Sequence, residues 1–283
     1  MKIWAYVTVW NEQEMISYYL RHYSQFCEKI IVLDNESTDD TCMIASTYPM
    51  VEIRKYNTSE TFNDYVHLEL KHKCIQESKG LADYIIVSDC DEFIVHPNIK
   101  EFLINNSQYS IFYPAGFQMV SSSFPTSDKQ IYDEVPYGVP DPWYSKPILI
   151  NPNKVNNFIW IDGCHETTLD TDYIGEIMHP VPVEIRPDGE WNGHPWGRWR
   201  MQYNVLEGFN SFPIKLLHFK FMSADYVTAR YQLYSQRNSK QNKENGLATH
   251  YEDSIANNTI QNQINKLIED SITVNINNFD YTK

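Results

Sequence analysis

Neither Gly-x-Gly-x-x-Gly nor Gly-x-x-x-x-Gly-Lys-Ser/Thr occurs in the sequence, so the common dinucleotide fingerprint and the P-loop are both excluded as its phosphate-binding device. Cysteine is scarce. Five residues, Cys27, Cys42, Cys74, Cys90 and Cys164, lie far apart with no CxxC among them. An odd, scattered set reads as reduced thiols of a cytoplasmic protein, not as a disulfide framework. Positive charge is also in short supply: 23 Lys and Arg stand against 37 Asp and Glu. A net charge of -14 argues against a broad cationic face for nucleic acid, while a small anionic ligand stays open if a metal or a few cations neutralise it locally. No uninterrupted apolar run reaches the length of a spanning helix, and "KIWAYVTVW" begins without the pattern of a signal peptide. The expectation is a cytoplasmic protein with no transmembrane segment, whose contact with the cytoplasmic membrane face would be peripheral.

Aromatic residues are plentiful, with 20 Tyr, 13 Phe and 7 Trp, and the 42% apolar share is that of a globular chain with a substantial core. The first half alternates between two periods. "KIWAYVTVW", "KIIVLD", "VEIRKY" and "ADYIIVSD" read as strands, and "EQEMISYYLRHYSQF", "STDDTCMIASTY" and "ETFNDYVHLELKHKCIQES" read as the helices between them. Met15, Tyr19, His22 and Phe26 form the apolar stripe of the first helix, and a Ser or Thr caps the second. Such units predict a mostly parallel central sheet flanked by helices. After about Ser110 the pattern becomes strand-like and proline-rich, predicting a smaller antiparallel or mixed region. "FPIKLLHFKF" reads as a strand, and "SADYVTARYQLYSQRN" and "NNTIQNQINKLIED" as helices.

In an open α/β sheet, ligands bind beyond the carboxyl ends of the strands. Three polar clusters fall there: "WNEQE", "LDNESTDD" and "SDCDE". On a continuing strand Asp89 and Asp91 would face one way and Cys90 the other. Two carboxylates about 6 Å apart repel by roughly 3 kcal/mol at an effective dielectric of 20, and a divalent cation would turn that repulsion into attraction. A solvated strand-end turn is the plain alternative.

These clusters resemble a family-2-type glycosyltransferase with a GT-A fold. The resemblance is carried by Asn11 and Glu12; by Asp34, Asn35, Ser37 and Asp39 as D-N-x-S-x-D; and by Asp89, Asp91, Glu92 and Phe93 as D-x-D-E-F. It is firm over residues 1 to 115. It implies a GT-A-like α/β fold and a nucleotide-sugar donor, UDP-linked by preference, with Mn²⁺ or Mg²⁺ as cofactor. It also implies transfer with inversion to a glycan or other hydroxyl acceptor. Val9, Asn11, Glu12, Asp34, Asp39, Asp89 and Lys220 are then the donor-binding candidates, and Asp89, Asp91 and His218 the metal candidates. "KPIL", "GCHE" and "LLHFK" follow in the family order.

Inversion needs a base for the acceptor hydroxyl. Glu166 is the first choice, with His165 and Asp162 beside it in "DGCHET", and Asp188 and Glu190 are rivals. Residues 1–115 are expected to form the nucleotide-sugar-binding half and 116–240 an acceptor-side, metal-completing region of the same catalytic domain. Residues 241–283 would be a helical C-terminal extension. The competing readings are a metal-dependent nucleotidyl or phosphoryl transferase and a catalytically inactive nucleotide-sugar-binding protein. Each single residue also has a structural reading: Asp39 as a loop or first-turn acid, Asn11 and Glu12 as a cap, and His218 as a core histidine.

Overall fold

The computed structural model describes residues 1–59, 61–155, 158–161, 166–168, 176–179, 183–186, 190–191, 194–195, 198–201 and 208–276. Its first half runs β1 (Ile3–Val9), α1 (Ile16–Tyr23), β2 (Lys29–Asp34), α2 (Thr41–Ala45), β3 (Val51–Lys55), α3 (Asp64–Ser78) and β4 (Tyr84–Asp89). There follow β5 (Glu92–Val95), α4 (Ile99–Asn105), β6 (Tyr109–Phe112), β7 (Ala115–Val120), α5 (Ile131–Glu134) and β8 (Tyr137–Pro140). A 3-10 turn (Pro142–Tyr144) leads to β9 (Leu149–Ile150), β10 (Ile159–Ile161), β11 (Glu166–Thr168), β12 (Glu176–Met178) and β13 (Val183–Arg186). The chain continues through β14 (Glu190–Trp191), β15 (His194–Pro195), β16 (Arg198–Met201) and β17 (Lys215–Phe221). It closes with α6 (Ala224–Arg237), α7 (Lys240–Glu244), α8 (Thr249–Ala256), α9 (Ile260–Asp270) and β18 (Ile272–Thr273).

The architecture is mixed α/β, with sheets flanked by helices. The larger sheet has the order β12-β6-β9-β4-β1-β2-β3. Its β4-β1-β2-β3 portion is parallel, and the register Val9↔Asp34 and Thr8↔Asp89 brings three strand ends level. The near-continuous apolar runs of these strands have the reason expected of a parallel sheet. Ile3, Ala5, Tyr6 and Val7 of β1, Ile30, Ile31 and Val32 of β2, and Ile85, Ile86 and Val87 of β4 are all buried.

A second sheet, β18-β8-β7-β17-β5, fixes the other side of the strand-end crevice. Its strand β17 runs parallel to β7 and antiparallel to β5, with His218 opposite both Gln118 and Glu92. Gly116 in β7 lies under the 3-10 turn so closely that a Cβ there would collide with the backbone of Tyr144 and Ser145. That approach holds Tyr144 against His218. Beyond these sheets, β10-β11-β16-β13 is antiparallel and β14 pairs with β15.

Two helices differ from the sequence expectation. The helix anticipated over residues 12–26 is confined to Ile16–Tyr23, because Glu12 to Met15 form a tight turn whose Glu12 carbonyl accepts from the Met15 and Ile16 amides. Of its expected apolar stripe, Tyr19 and His22 lie buried within α1 and Met15 is buried just before it, while Phe26 lies beyond its end and is partly buried. The second helix begins after Asp40 without a side-chain cap bond, since Ser37 and Thr38 bond across to the preceding loop instead. By contrast Ser223 caps α6, accepting from the Tyr226 amide at 3.2 Å. Among the described residues, no helix is long and apolar enough to cross a membrane.

One core residue gives a direct test of the packing. Lys215 is fully buried, its Nζ donates to the Phe212 carbonyl at 2.9 Å, and burial lowers its ammonium to about 7. An unfolded lysine titrates near 10.4. The unfolded chain therefore holds a proton that the folded chain does not between those values, and stability rises with pH across that window. Lys215→Met is expected to melt higher than wild type near pH 7, by roughly 2–4 kcal/mol in stability. The gap should close toward pH 10, which paired thermal denaturation across that range would read. A pH-independent gap would refute the account.

Candidate active site

The strand-end clusters first of all bond to one another. Asn11 sits in the left-handed region at φ 53°, a conformation asparagine tolerates, which turns its Oδ1 to the Thr38 amide at 2.8 Å and its own amide to Ser37 Oγ at 3.0 Å. The Glu12 amide donates to Thr41 Oγ1 at 2.7 Å. Asp39 accepts from the Gln13 amide through Oδ2 and from Thr41 through Oδ1. The loops after β1 and β2 are thus stitched into one rim. Asn11 and Asp39 belong to the stitching and do not line the cleft, whereas Val9 does.

Asp34 is fully buried behind that rim. Its Oδ1 accepts from the Ser37 amide at 2.9 Å, and its Oδ2 has no hydrogen-bond partner among the described residues. Glu12 reaches the cleft, but both its oxygens are taken by Arg230 of α6 in a bidentate pair at 2.6 and 2.5 Å. Burial raises the Glu12 carboxyl and Arg230 offsets this only in part, while the Glu12 carboxylate holds the Arg230 guanidinium well above its usual range. The bidentate pair fastens α6 over the crevice.

Around "SDCDE" the backbone departs from the strand alternation. β4 ends at Asp89, Cys90 and Asp91 make the turn into β5, and the Asp91 carbonyl accepts from the Phe219 amide at 2.8 Å. The two carboxylates therefore diverge. Asp89 Oδ1 accepts from Lys71 Nζ at 2.8 Å and Thr8 Oγ1 at 2.9 Å. Desolvation alone would raise this carboxyl, but Lys71 and Lys146 hold it well below the ordinary range. Asp91 goes the opposite way: burial raises its carboxyl, and Arg230 only partly offsets it. Glu92 is buried, accepts from the Asp89 amide at 3.0 Å and pairs with Lys146 at 2.6 Å, a contact too poorly aligned to be a hydrogen bond. It shapes the turn.

Asp91 Oδ2 lies 3.6 Å from His218 Nε2. The other imidazole nitrogen, Nδ1, is 2.9 Å from Gln118 Oε1, and Gln118 spends its own donors on the His218 and Met119 carbonyls. Gln118 therefore accepts, the ring proton sits on Nδ1, and the Nε2 lone pair faces the Asp91 carboxyl. Burial lowers His218 to about 3, so the ring is neutral, and Tyr144 stacks on it at 4.4 Å. A carboxylate oxygen and an imidazole lone pair meeting at one point need a proton or a cation between them. As a donor set they fit Mn²⁺ or Mg²⁺ as two ligands of a shell that substrate oxygens and water would complete. Of the expected trio of Asp89, Asp91 and His218, the structure brings Asp91 and His218 together, while Asp89 Oδ1 is turned to Lys71. Among the described residues no group of three His, Cys, Asp or Glu stands together as a metal cage.

The cleft encloses about 250 Å³. Five cationic side chains reach it in this acidic protein: Lys71, Lys146, Lys220, Arg230 and Arg237. Lys220 is half-buried, contacts His250 Nε2 at 3.2 Å and lies over the Tyr231 and Tyr251 rings at 5.2 and 5.4 Å. Burial lowers it to about 8. Along β17, His218 and Lys220 face the cleft and Leu217 and Phe219 lie in the core.

Asp162, His165 and Asp188 lie outside the described residues. Glu166 opens β11, where its backbone pairs with Ile161, and Glu190 opens β14. Sequence reasoning missed Lys71, Gln118, Lys146, Arg230 and Arg237. A signal existed for some of them. Asp64, His67, Leu68 and Lys71 are spaced as one face of α3, and Val227, Arg230, Tyr231, Tyr234 and Arg237 as one face of α6. Both faces mix charge with aromatics and escape a search for apolar stripes.

No protein-family model and no curated protein matches the chain. Solved structures do. Glucosyl-3-phosphoglycerate synthase from Mycobacterium tuberculosis, in complex with Mn²⁺, UDP and glucosyl-3-phosphoglycerate, is 18% identical with a TM-score of 0.30, over 41% of this chain and 44% of that one. The same enzyme with Mn²⁺ and UDP-glucose gives 19% and 0.29, over 41% and 43%. A crystal structure described as a mycobacterial protein gives 18% and 0.31, over 41% of each chain. The chain thus spans less than half the length of these structures. At these values the likeness carries no residue assignment and no activity for this chain.

Proposed function

We propose that the chain is a metal-dependent glycosyltransferase with a GT-A-like fold. In this reading it moves a sugar, with inversion, from a nucleotide diphosphate sugar, UDP-linked by preference, to a hydroxyl of a glycan or other acceptor. The observation that carries the reading is the meeting of Asp91 and the neutral face of His218 at the strand-end cleft, with cationic side chains around it. Asp91 and His218 would hold Mn²⁺ or Mg²⁺, which supplies positive charge against the diphosphate as it leaves.

The protein's own groups do the rest. Lys220, and Lys146 beside it, face the diphosphate charge, and Asp89, fixed through Oδ1, offers Oδ2 to the ribose. Asp34, buried behind the rim, holds the loop after β2 through the Ser37 amide. Glu166 takes the acceptor proton, with His165 and Asp162 as its neighbours in sequence. Residues 1–115 form the donor half, residues 116–240 complete the metal site and receive the acceptor, and 241–283 extend the domain. Cytoplasmic placement, with peripheral contact to a membrane-based glycan pathway, completes the proposal.

A donor and acceptor screen with Mn²⁺ or Mg²⁺, reading released nucleotide beside the product mass, tests it. Nucleoside diphosphate release with an acceptor heavier by one sugar is the expected result. Transfer of a nucleotidyl or phosphoryl group would assign the first competing activity, and metal-dependent donor binding without turnover the inactive binder. Glu166→Gln is expected to keep donor affinity and lower transfer by about 10²–10⁴-fold. Transfer at the wild-type rate would move the base to Asp162, Asp188 or Glu190.

A further inference from the structure

His218 carries one ring proton and faces two acceptors. Its Nδ1 lies 2.9 Å from Gln118 Oε1, and its Nε2 lies 3.6 Å from Asp91 Oδ2. A neutral imidazole donates through one nitrogen only, so the two oxygens compete for a single proton. With the proton on Nε2, the nitrogen beside Asp91 is a donor and has no lone pair for a cation. With the proton on Nδ1, that lone pair stays open. The choice of tautomer therefore decides whether Asp91 and His218 can act as a ligand pair at all.

The surroundings of Gln118 fix that choice. Gln118 and His218 are register partners on the neighbouring strands β7 and β17, so their side chains leave the sheet side by side. The Gln118 amide is buried, and its Nε2 donates to the His218 carbonyl at 3.1 Å and to the Met119 carbonyl at 3.3 Å. Turning the amide over would set its oxygen against two carbonyl oxygens with no donor among them. The acceptor opposite Nδ1 is thus locked by the backbone of two strands. The ring plane is held separately, by Tyr144 stacked on the imidazole at 4.4 Å and 27°. The turn that carries Tyr144 rests on Gly116, whose amide donates to Ser145 Oγ at 3.0 Å. Asp91 is tied to the same strand as His218, its carbonyl accepting from the Phe219 amide at 2.8 Å.

We propose that Gln118 is a positioning residue for the cation: it keeps the His218 proton on Nδ1 and so reserves Nε2 for a divalent metal shared with Asp91. This rests on the metal-dependent reading above. Without the Gln118 oxygen, Nδ1–H would be a buried donor with no acceptor, and the proton would pass to Nε2, where Asp91 accepts it. A cation would then have to break that hydrogen bond before it could bind. Residues that orient a ligating histidine in this way govern metal affinity by about 10- to 100-fold. The loss should be larger for Mn²⁺ than for Mg²⁺, because Mg²⁺ keeps its waters and favours oxygen ligands, and so gains less from the imidazole.

Two measurements test the assignment on wild type, Gln118→Met, Gln118→Glu and His218→Ala, each checked by its melting curve. Nitrogen NMR of the metal-free protein reads the His218 tautomer, and titration with Mn²⁺ or Mg²⁺, with and without UDP, reads the affinity. Wild type should carry the proton on Nδ1, and its bound Mn²⁺ should show spin coupling to an imidazole nitrogen. Gln118→Met should move the proton to Nε2, lose about 10- to 100-fold in Mn²⁺ affinity and lose less for Mg²⁺. Gln118→Glu keeps an acceptor opposite Nδ1 and should stay within about threefold of wild type. If Gln118→Met does not fold, the wild-type tautomer and Gln118→Glu decide. A proton on Nε2 in wild type would overturn the proposal, as would equal losses for both metals with the tautomer unchanged. Unchanged Mn²⁺ affinity in folded Gln118→Met, with binding lost in His218→Ala, would overturn the role of Gln118 and leave the metal pair standing. Absence of any Mn²⁺ or Mg²⁺ binding by wild type would remove both readings together.

Discussion

Asp91→Ala is expected to lose metal-dependent sugar transfer by about 10³-fold or more in kcat/KM while folding as wild type does. The two halves of that expectation have separate causes. Asp91 is the only carboxylate among the described residues whose oxygen meets the Nε2 face of His218, so its removal takes away the hard oxygen donor of the pair. Burial already raises this carboxyl, so the fold gains little from its charge. Transfer assays with Mn²⁺, run beside metal titrations and melting curves, would read both. Turnover within threefold of wild type, with equal metal affinity, would remove Asp91 from the role. Asp91→Asn keeps the shape and should behave like the alanine variant, which separates charge from packing.

Arg230→Met should destabilise the protein by about 3–5 kcal/mol, because it leaves the Glu12 carboxylate buried with both oxygens stripped of their bidentate partner. For a chain of this size that corresponds to a fall of roughly 5–8 °C in Tm. Part of the loss should return in the double variant Glu12→Gln with Arg230→Met, since the orphaned charge is then gone. Thermal denaturation of the four proteins in the cycle measures it. Strictly additive losses would mean that the pair does not act as a unit. Donor affinity is expected to fall with Arg230→Met as well, because α6 carries Tyr231, Tyr234 and Arg237 into the cleft from the same face.

How far these residues were legible beforehand depends on the distance over which their signal acts. The four parallel strands were readable because each is a short apolar run bounded by polar strand ends, and burial on both faces admits little else. The polar clusters were readable as strand ends for the same reason. Their roles were not. Asn11, Ser37 and Asp39 belong to the pattern that resembles a glycosyltransferase, yet their side chains mainly hold two loops together across 26 or 27 positions in sequence. Asp89 and Asp91 are two apart, and only the turn at Cys90 decides that one meets Lys71 and the other His218.

The sequence by itself determined the alternating α/β half, the β17 alternation that turns His218 and Lys220 away from the core, and the position of acids at strand ends. These follow from periodicity and local backbone preference. Tertiary structure alone decided the pairing of Glu12 with Arg230, the setting of His218 by Gln118, the salt bridge of Lys71 to Asp89 and the stacking of Arg237 on Trp10. Those partners lie 218, 100, 18 and 227 positions apart. A hydrogen bond or ion pair depends on where two atoms sit within a few tenths of an ångström, and no local pattern in the chain encodes that. The sheet sets it when it closes.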